Sequence, residues 1–335
     1  MFWRVLFIVL SLAILSFASG LTLDYYRFLK TPVSISGPTA TLDIPRGTSL
    51  RALSLDLGRR GILDRPYYFV ALAYLDGQEG AIKAGEYALT PDMTPQALLE
   101  RITSGKVIEY SLTIVEGWTF RQALEALDAQ GTLDGAPLSG LPEADLMERL
   151  GRPGQHPEGR FFPDTYRFPR HAERLDLLQR SLNRMDRILE EEWRKRQDDL
   201  PISTPYEALI LASIIEKETA VAAERPRIGG VFVRRLRKGM RLQTDPTVIY
   251  GLGERFDGNL TRSHLRESTP YNTYVISGLP PTPIALPGRE AIRAALQPES
   301  GESLYFVAKG DGTHVFSRTL GEHNRAVRRY ILEQP

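Results

Sequence analysis

One carboxylate stands out as a candidate for chemistry. Glu218 lies in the helical segment LASIIEKET, residues 211–219, and a helix that advances 100° per residue groups it with apolar side chains while Glu216 projects to the opposite side. The residues that share its side are Leu211, Ile214, Ile215 and Ala222. Burial disfavours the charged form of an acid, so an acid on this face can hold a proton near neutral pH. Spacing alone leaves two interpretations open: a general acid, or a buried structural Glu paired with an Arg.

Polar residues that suit sugar recognition follow this helix in turn-rich segments. Gln243 and Asp245 lie in RLQTDPTVIYG, residues 241–251, and further candidates lie in YNTY, residues 271–274. Amides, carboxylates and hydroxyls bond to sugar hydroxyls, and aromatic faces cover the apolar side of a sugar ring. We predict that the substrate-binding residues are Gln243, Asp245, Tyr271, Asn272 and Thr273. The alternative for each is a turn-forming side chain that bonds to the backbone.

Composition excludes several classes of function. The 335 residues suffice for about two domains. The net charge is +1 and no basic run is interleaved with aromatic residues, so we expect no nucleic-acid partner. The chain has no Cys, which excludes thiol catalysis, Cys-ligated zinc and disulfides. Its His residues lack metal-site spacing, so we predict no metal and no cofactor.

The N-terminus carries an apolar segment. Residues 5–23 contain no charged side chain, and a run of about 19 residues is long enough to span a bilayer. The flanking charges weakly favour a cytoplasmic N-terminus. A cleaved signal peptide is the alternative, with small residues at 18–20, but the run is longer than a typical signal-peptide core of about 7 to 15 residues. We therefore predict a retained membrane anchor over 1–24 and a short tether over 25–38.

A strand–turn–helix pattern occurs twice, seventy positions apart. Residues 42–50 predict a strand, a Pro-Gly turn and an amphipathic helix, and residues 112–120 repeat this order. The identical pairs are Leu42/Leu112, Ile44/Ile114, Gly47/Gly117, Arg51/Arg121, Leu57/Leu127, Gly61/Gly131 and Leu63/Leu133. Between the copies we predict a helix over 66–75, a strand over 85–89 and a helix from Pro95 to Ile102 with Thr94 as N-cap. The resulting βααβ module loosely resembles the LysM fold, a glycan-binding module; a small α+β spacer is the alternative.

The second half of the chain begins after a stretch rich in Pro and Gly over 135–159. A long amphipathic helix is predicted over 171–196. The Glu218 helix then starts near Pro205, because Thr204 and Glu207 form a capping box, and we expect it to run for about five turns. Two strands joined by a Gly-rich turn are predicted over 304–316.

Several long motifs resemble one family. IIEKET at 214–219, RLQTDPTVIYG at 241–251, YNTY at 271–274 and GLPP at 278–281 closely resemble the endolytic murein transglycosylases of the YceG-like family. EG at 158–159, FPDTY at 162–166 and EHN at 322–324 also match. The resemblance covers nearly the whole chain, including the anchor and the LysM-like module.

The resemblance implies a bacterial inner-membrane protein with a periplasmic catalytic domain that cuts nascent glycan strands internally and so ends their elongation. In the family the second Glu of the Glu-Lys-Glu motif is the acid/base, which corresponds to Glu218. It protonates the leaving oxygen between N-acetylmuramic acid and N-acetylglucosamine, and its carboxylate then accepts the proton of the muramoyl 6-hydroxyl, which leaves a 1,6-anhydro end. One carboxylate suffices because the substrate supplies the nucleophile, whereas a hydrolase uses a pair.

The expected fold is therefore α+β, in five segments. They are the anchor at 1–24, the tether at 25–38, the LysM-like module at 39–110, the second strand–helix unit with its connecting segment at 111–157, and the catalytic domain at 158–335, with its acid on a buried helix. Expected partners are peptidoglycan strands, the inner membrane and wall-synthesis enzymes, although no residue identifies those enzymes.

Two rival functions remain open at this point. A hydrolase would use Glu218 with Asp245 and water, and a membrane-tethered scaffold would bind glycan through the LysM-like module without cutting it. Glu216 is expected to pair with an Arg. The basic stretch 225–241 either contacts carboxylates of the substrate or forms a solvated or salt-bridged helix face.

Overall fold

The computed structural model describes residues 2–332; Met1 and residues 333–335, which belong to the predicted anchor and catalytic segments, lie outside the described residues. Two compact units divide the chain. The first comprises the chain up to Tyr110 with Arg167–Ala172, and the second comprises Ser111–Tyr166 with the chain from Glu173 onward. The α+β class is as predicted. Segment 111–157 belongs to the same compact unit as most of segment 158–332, so the five-part functional division stays a prediction.

The first unit joins a long apolar helix to a small α+β module. Helix α1, Phe2–Lys30, is long and apolar enough to cross a membrane. In the module, strands β1 and β2 pair antiparallel with Leu42 opposite Tyr87, and both side chains are fully buried. The elements are β1 Ala40–Ile44, α2 Leu50–Arg59, α3 Pro66–Leu75, β2 Gly85–Leu89 and α4 Pro95–Ser104. The helices and strands predicted between the two repeats, including the Thr94 cap, are confirmed.

The helix of the predicted anchor extends into the first residues of the predicted tether, since α1 ends at Lys30; the tether itself stays a prediction. Phe28 is buried against the module, with its ring 5.7 Å from that of Tyr68. Asp24 accepts hydrogen bonds from Arg65 and from the Tyr68 hydroxyl. These contacts stabilise helical turns beyond the apolar run, and the run was the only signal for the helix end in the sequence.

The repeated pattern is confirmed in the local structure. Strand β3, Glu109–Thr113, is followed by helix α5, Phe120–Ala129, which starts seventy residues after α2. Ser49 and Thr119 cap the two helices with their hydroxyls. Gly47 and Gly117 share a φ of 78°, which a residue with a Cβ rarely adopts.

The remaining elements include the helix that carries Glu218. They are β4 Leu133–Asp134, α6 Glu143–Arg149, β5 Thr165–Pro169, β6 Ala172–Glu173, α7 Arg174–Arg194, α8 Pro205–Glu218, α9 Arg225–Arg237, α10 Asp245–Leu252, α11 Arg289–Leu296, β7 Tyr305–Ala308, β8 His314–Ser317 and α12 Leu320–Val327. Strands β7 and β8 form an antiparallel hairpin with Phe306 opposite Phe316.

Helix α8 lies at the centre of the second unit. Its capping box of Thr204 and Glu207 is confirmed, and every residue from 208 to 215 is buried among α7, α9, α10 and α11. Helices α9 and α11 approach closely at Gly229, where a Cβ would lie 2.4 Å from the Ala294 carbonyl oxygen.

The predicted length of α8 and its predicted division into an apolar and a polar side are wrong. The helix has 14 residues and ends at Glu218, since Thr219 is extended, and Ala222–Glu224 forms a separate 3-10 turn. Ala222 therefore does not share a helical face with Glu218. Because α8 is buried on all sides until its last turn, it has no single apolar stripe.

Candidate functional site

The end of α8 places Glu218 at the wall of two cavities. One cavity has a volume of about 500 Å³ and the other about 380 Å³, and Glu218 lines both. The residue is half-buried, and the chain turns away from the helix axis at Thr219. A carboxyl at this junction can meet a group that enters from either side.

The larger cavity combines polar side chains with aromatic ones. Helix α9 contributes Arg235, and α10 and the loop before it contribute residues 242–245. The hairpin and α12 form another part of its wall, through Tyr305, Phe306, Val307, Ala308, His314, Leu320, His323, Asn324 and Val327. Such a wall suits a sugar, because aromatic faces can cover the apolar side of the ring while amides and hydroxyls bond to its hydroxyl groups.

Thr244 holds one oxygen of the Glu218 carboxyl, because its hydroxyl donates a hydrogen bond to Oε1. A ring of hydroxyls fixes the Thr244 backbone. Its N–H donates to Thr273 Oγ1 at 3.1 Å, and its carbonyl accepts from Thr247 Oγ1 at 2.8 Å. The two hydroxyls are 2.9 Å apart. Since the proton of Thr247 is given to the carbonyl, Thr273 donates to Thr247 and the ring closes.

The consequence for Glu218 is a defined orientation. The Thr244 hydroxyl donates to Oε1, so the proton of the acid form belongs on the other oxygen, Oε2. All three threonines are buried, so water does not compete for these bonds. The arrangement fixes which oxygen can act as the acid.

The environment of Glu218 raises its pKa to about 7. Burial is the largest cause, the hydrogen bond from Thr244 opposes it, and the charge of Asp245 adds to it. Arg235 has a smaller, lowering effect. A pKa near neutral makes both the protonated and the charged form of Glu218 accessible, which suits a group that donates a proton and then accepts one.

Asp245 has a neutral partner. The Tyr274 hydroxyl donates to Asp245 Oδ1 at 2.6 Å, and both residues line the larger cavity. Burial, and then this hydrogen bond, raise the pKa of Tyr274 above its usual range. Tyr274 thus remains a donor, and Asp245 acts on Glu218 through its charge.

Gln243 has an unusual backbone conformation, with a φ of 52°. Its N–H donates to the Thr273 carbonyl at 3.1 Å, and Arg235 donates to the neighbouring Leu242 carbonyl at 2.8 Å. The Arg235 guanidinium also lies 5.0 Å from the Tyr305 ring, which stacks on His323. A left-handed residue other than Gly costs conformational energy and is often found at functional sites.

The smaller cavity lies beside Glu216 and Arg225. Their side chains form an ion pair at 2.8 Å, so the predicted Arg partner is confirmed. The Glu216 side chain is 4% exposed, although the helical periodicity of 100° per residue placed it on the side opposite the apolar residues. It is buried because Arg225 and the Gly288 N–H, at 2.9 Å, satisfy its oxygens. Lys217 donates to the Gly117 carbonyl at 3.1 Å at the same cavity.

With this geometry in hand, the chain can be compared with known proteins. A profile of the YceG-like family matches residues 42–329. The chain belongs to the YceG-like family. It is 31% identical to the endolytic murein transglycosylase of Bacillus subtilis (strain 168), over 92% of this chain and 89% of that protein.

Other members of the YceG-like family give a similar result. An endolytic murein transglycosylase of Streptococcus pneumoniae (serotype 2, strain D39) is 26% identical over 87% of this chain and 58% of that protein. The crystal structure of a YceG-like protein from Listeria monocytogenes matches with a TM-score of 0.53 and 29% identity, and covers 87% of this chain and 99% of that one.

Not every predicted binding residue of this YceG-like chain reaches the larger cavity. Gln243 and Asp245 line it with Glu218, whereas Tyr271, Asn272 and Thr273 do not. Asn272 is fully buried and its amide donates to the carbonyls of residues 264 and 267. The Tyr271 hydroxyl bonds to that of Thr282 at 2.8 Å. Sugar contacts by these three residues stay a prediction; in the structure their side chains bond to the protein, and Thr273 accepts from the Thr244 N–H.

Most guanidinium groups of the basic stretch 225–241 bind the protein itself, while Arg227, Arg237 and Arg241 also remain exposed. Arg225 pairs with Glu216, and Arg227 lies 4.0 Å from the Phe316 ring. The groups that donate to backbone carbonyls are Arg234, Arg235, Arg237 and Arg241. A salt bridge, one of the two predicted alternatives, holds for Arg225.

Sequence reasoning missed several residues of the site in this YceG-like chain. Thr244 is adjacent to Gln243 in a motif that had been singled out, so it was within reach, whereas Tyr274 belongs to the YNTY motif whose residues were already candidates for sugar contact. Nothing in the sequence distinguished Arg235 from the other residues of its basic run, and nothing distinguished Tyr305 from the other residues of its predicted strand. Among residues 2–332, no cluster of three or more His, Asp or Glu side chains could hold a metal.

Proposed function

We propose that the chain is a membrane-anchored lytic transglycosylase that cleaves peptidoglycan strands internally with Glu218 as its acid and base. The observation that carries this proposal is the Glu218 carboxyl, whose pKa is raised to about 7 where it borders two cavities. Relatives with the name endolytic murein transglycosylase support the substrate. Two cavities that share Glu218 offer room for sugar units beside the acid.

The proposed reaction uses one carboxyl twice. The proton on Glu218 Oε2 passes to the oxygen that joins C1 of N-acetylmuramic acid to C4 of N-acetylglucosamine, and the C1–O bond breaks. The Glu218 carboxylate, with Oε1 held by Thr244, then accepts the proton of the muramoyl 6-hydroxyl. That oxygen bonds to C1 and forms the 1,6-anhydro end. Glu218 regains its proton and no water is consumed.

In this mechanism Gln243 and Asp245 orient or bind the sugar at the larger cavity. The module in the first unit is proposed to be LysM-like and to bind glycan. Helix α1 is proposed as a single span with a cytoplasmic N-terminus, which puts the catalytic domain in the periplasm of a bacterial cell. Such an enzyme would end the elongation of new strands beside wall-synthesis enzymes.

The decisive experiment is mass analysis of the products from purified glycan strands. A transglycosylase gives anhydro ends, whereas hydrolysis through Glu218 and Asp245 adds water and leaves a reducing end. The Glu218→Gln variant should lose nearly all cleavage, and Glu125→Gln, at an exposed position of α5, should retain it. Cleavage by Glu218→Gln at the wild-type rate would show that the acid is misassigned.

The same pair of variants tests the scaffold alternative. A protein that only binds glycan would produce no fragments as wild type and would bind equally well as Glu218→Gln. Wild-type cleavage that disappears in Glu218→Gln, with glycan binding retained, would exclude that alternative.

A further inference from the structure

Helix α3 has no polar face. Its ten residues, PYYFVALAYL, contain no charged side chain. One side is buried in the module core through Phe69, Leu72 and Ala73. The opposite side, which we call the α3 outer face, consists of Tyr67, Ala71, Tyr74 and Leu75. A helix on the surface of a soluble domain normally has a polar outer face. The outer side of α3 has no charged side chain, so its exposure to water is unfavourable.

The exposure of the α3 outer face is large. Tyr67 is 68% exposed, Tyr74 63% and Leu75 75%. These side chains recur at positions i, i+7 and i+8, so they form a continuous apolar patch along the helix. Contiguous exposed apolar patches of this kind indicate a binding surface for protein or membrane.

The position of α3 within the first unit selects the membrane. Arg65, its N-cap, donates to Asp24 at 3.3 Å, and the Tyr68 hydroxyl donates to Asp24 at 3.1 Å. Asp24 is the first charged residue after the apolar run of α1. The start of α3 is therefore level with the point where α1 leaves the apolar phase.

A second contact places Tyr68 beside the apolar run itself. Tyr68 borders a space of about 650 Å³ together with residues of α1, which are Ala13, Ser16, Phe17, Gly20, Leu21 and Asp24. Since residues 13–21 belong to the predicted span, one flank of α3 lies at bilayer height. The flank of α3 that carries Tyr68 therefore adjoins α1, and the α3 outer face lies next to that flank.

We propose that the α3 outer face lies in the interfacial layer of the same bilayer that α1 spans. Tyrosine suits this layer because its ring is apolar while its hydroxyl reaches water and headgroups. Arg27 and Lys30 at the end of α1 supply cations for anionic headgroups. The inference rests on the proposed membrane anchoring, and it adds a second contact that would hold the module against the membrane surface.

The absence of Cys allows single nitroxide labels on the full-length protein in nanodiscs of phosphatidylethanolamine and phosphatidylglycerol. Labels at Tyr67→Cys and Tyr74→Cys are compared with Leu15→Cys in α1 and with Glu100→Cys, an exposed charged site of α4 in the same unit. Power-saturation spectra report collisions with oxygen, which concentrates in lipid, and with a water-soluble nickel chelate. Circular dichroism of each labelled protein verifies folding.

We expect the ratio of oxygen to nickel collisions at 67 and 74 to exceed that at 100 several-fold and to stay below that at 15, because residue 15 lies near the middle of the predicted span whereas an interfacial residue does not. Labels at 67 and 74 that resemble 100, while 15 is lipid-exposed, would overturn the inference and leave the anchor intact. Protection of 67 and 74 from both reagents would also overturn it, because a protein would then cover the face. A water-exposed label at 15 would instead refute the anchor and the inference together.

Discussion

Thr244→Val should change both the rate and the pH profile of the proposed reaction. Val has nearly the shape of Thr, and the ring with Thr247 and Thr273 uses only the backbone groups of residue 244. The substitution therefore removes one interaction, the hydrogen bond to Glu218 Oε1. That bond favours the charged carboxylate, so its loss should raise the Glu218 pKa above its present value of about 7.

The size of the effect follows from the type of bond. A hydrogen bond to a charged group contributes about 1.5 to 3 kcal/mol, and one pKa unit corresponds to about 1.4 kcal/mol. We expect the Glu218 pKa to rise by at least about 1. Loss of carboxylate stabilisation after proton transfer should lower kcat by about tenfold to a hundredfold. Activity requires the protonated acid, so it falls as pH rises through the pKa, and this limb should move to higher pH.

The assay is release of anhydro-ended fragments, followed as kcat from pH 5 to 9. Thr244→Ser keeps the donor and should stay near wild type. Thr132→Val is a matched control, because that hydroxyl is buried without a hydrogen-bond partner among residues 2–332. An alkaline limb that does not move in Thr244→Val, or one that moves equally in Thr132→Val, would refute the role given to Thr244.

Two further predictions use other carboxylates. Asp245→Asn removes the charge that raises the Glu218 pKa. The alkaline limb of kcat should therefore move to lower pH, and most activity should be retained at pH values below that limb. Near-complete loss of activity at every pH would instead favour a hydrolase with Asp245 as its second carboxylate. Glu158 is 4% exposed and burial raises its pKa from 4.5 to about 7. Its protonated form therefore stabilises the fold below pH 4.5, and this stabilisation, up to about 3 kcal/mol, is lost as pH rises through 7. In urea unfolding, Glu158→Gln should weaken the decline in stability between pH 5 and 8, whereas Glu125→Gln should follow wild type; equal slopes for all three proteins would contradict the assignment.

Local signals predicted local structure well. The Thr204 and Glu207 capping box and the Pro at the first helical position specified the start of α8, because those interactions span only four residues. The Thr94 cap specified the start of α4 for the same reason. The seventy-residue repeat correctly predicted that a helix, α5, follows its strand as α2 follows β1.

Features that depend on contacts between residues far apart in the chain could not be predicted from the sequence. The end of α8 depends on the packing around Glu218, and α1 extends to Lys30 because Asp24 and Phe28 contact residues 65 and 68. Asn272 was predicted to bind the sugar because a side-chain amide can bond to sugar hydroxyls, yet its amide donates to the carbonyls of residues 264 and 267. Residue type indicates which bonds a side chain can make, and only tertiary structure determines which partner receives them.

The pKa of Glu218 shows why the acid of the proposed reaction needs its neighbours as well as its burial. A carboxyl that only donates a proton would profit from burial without limit, because burial favours the neutral form. A carboxyl that must then accept a proton also needs its charged form to be accessible. Burial and Asp245 favour the neutral form, while Thr244 and Arg235 favour the charged one. Their balance puts the pKa near the pH at which both steps must occur, so changes at Thr244 and Asp245 should move the profile in opposite directions.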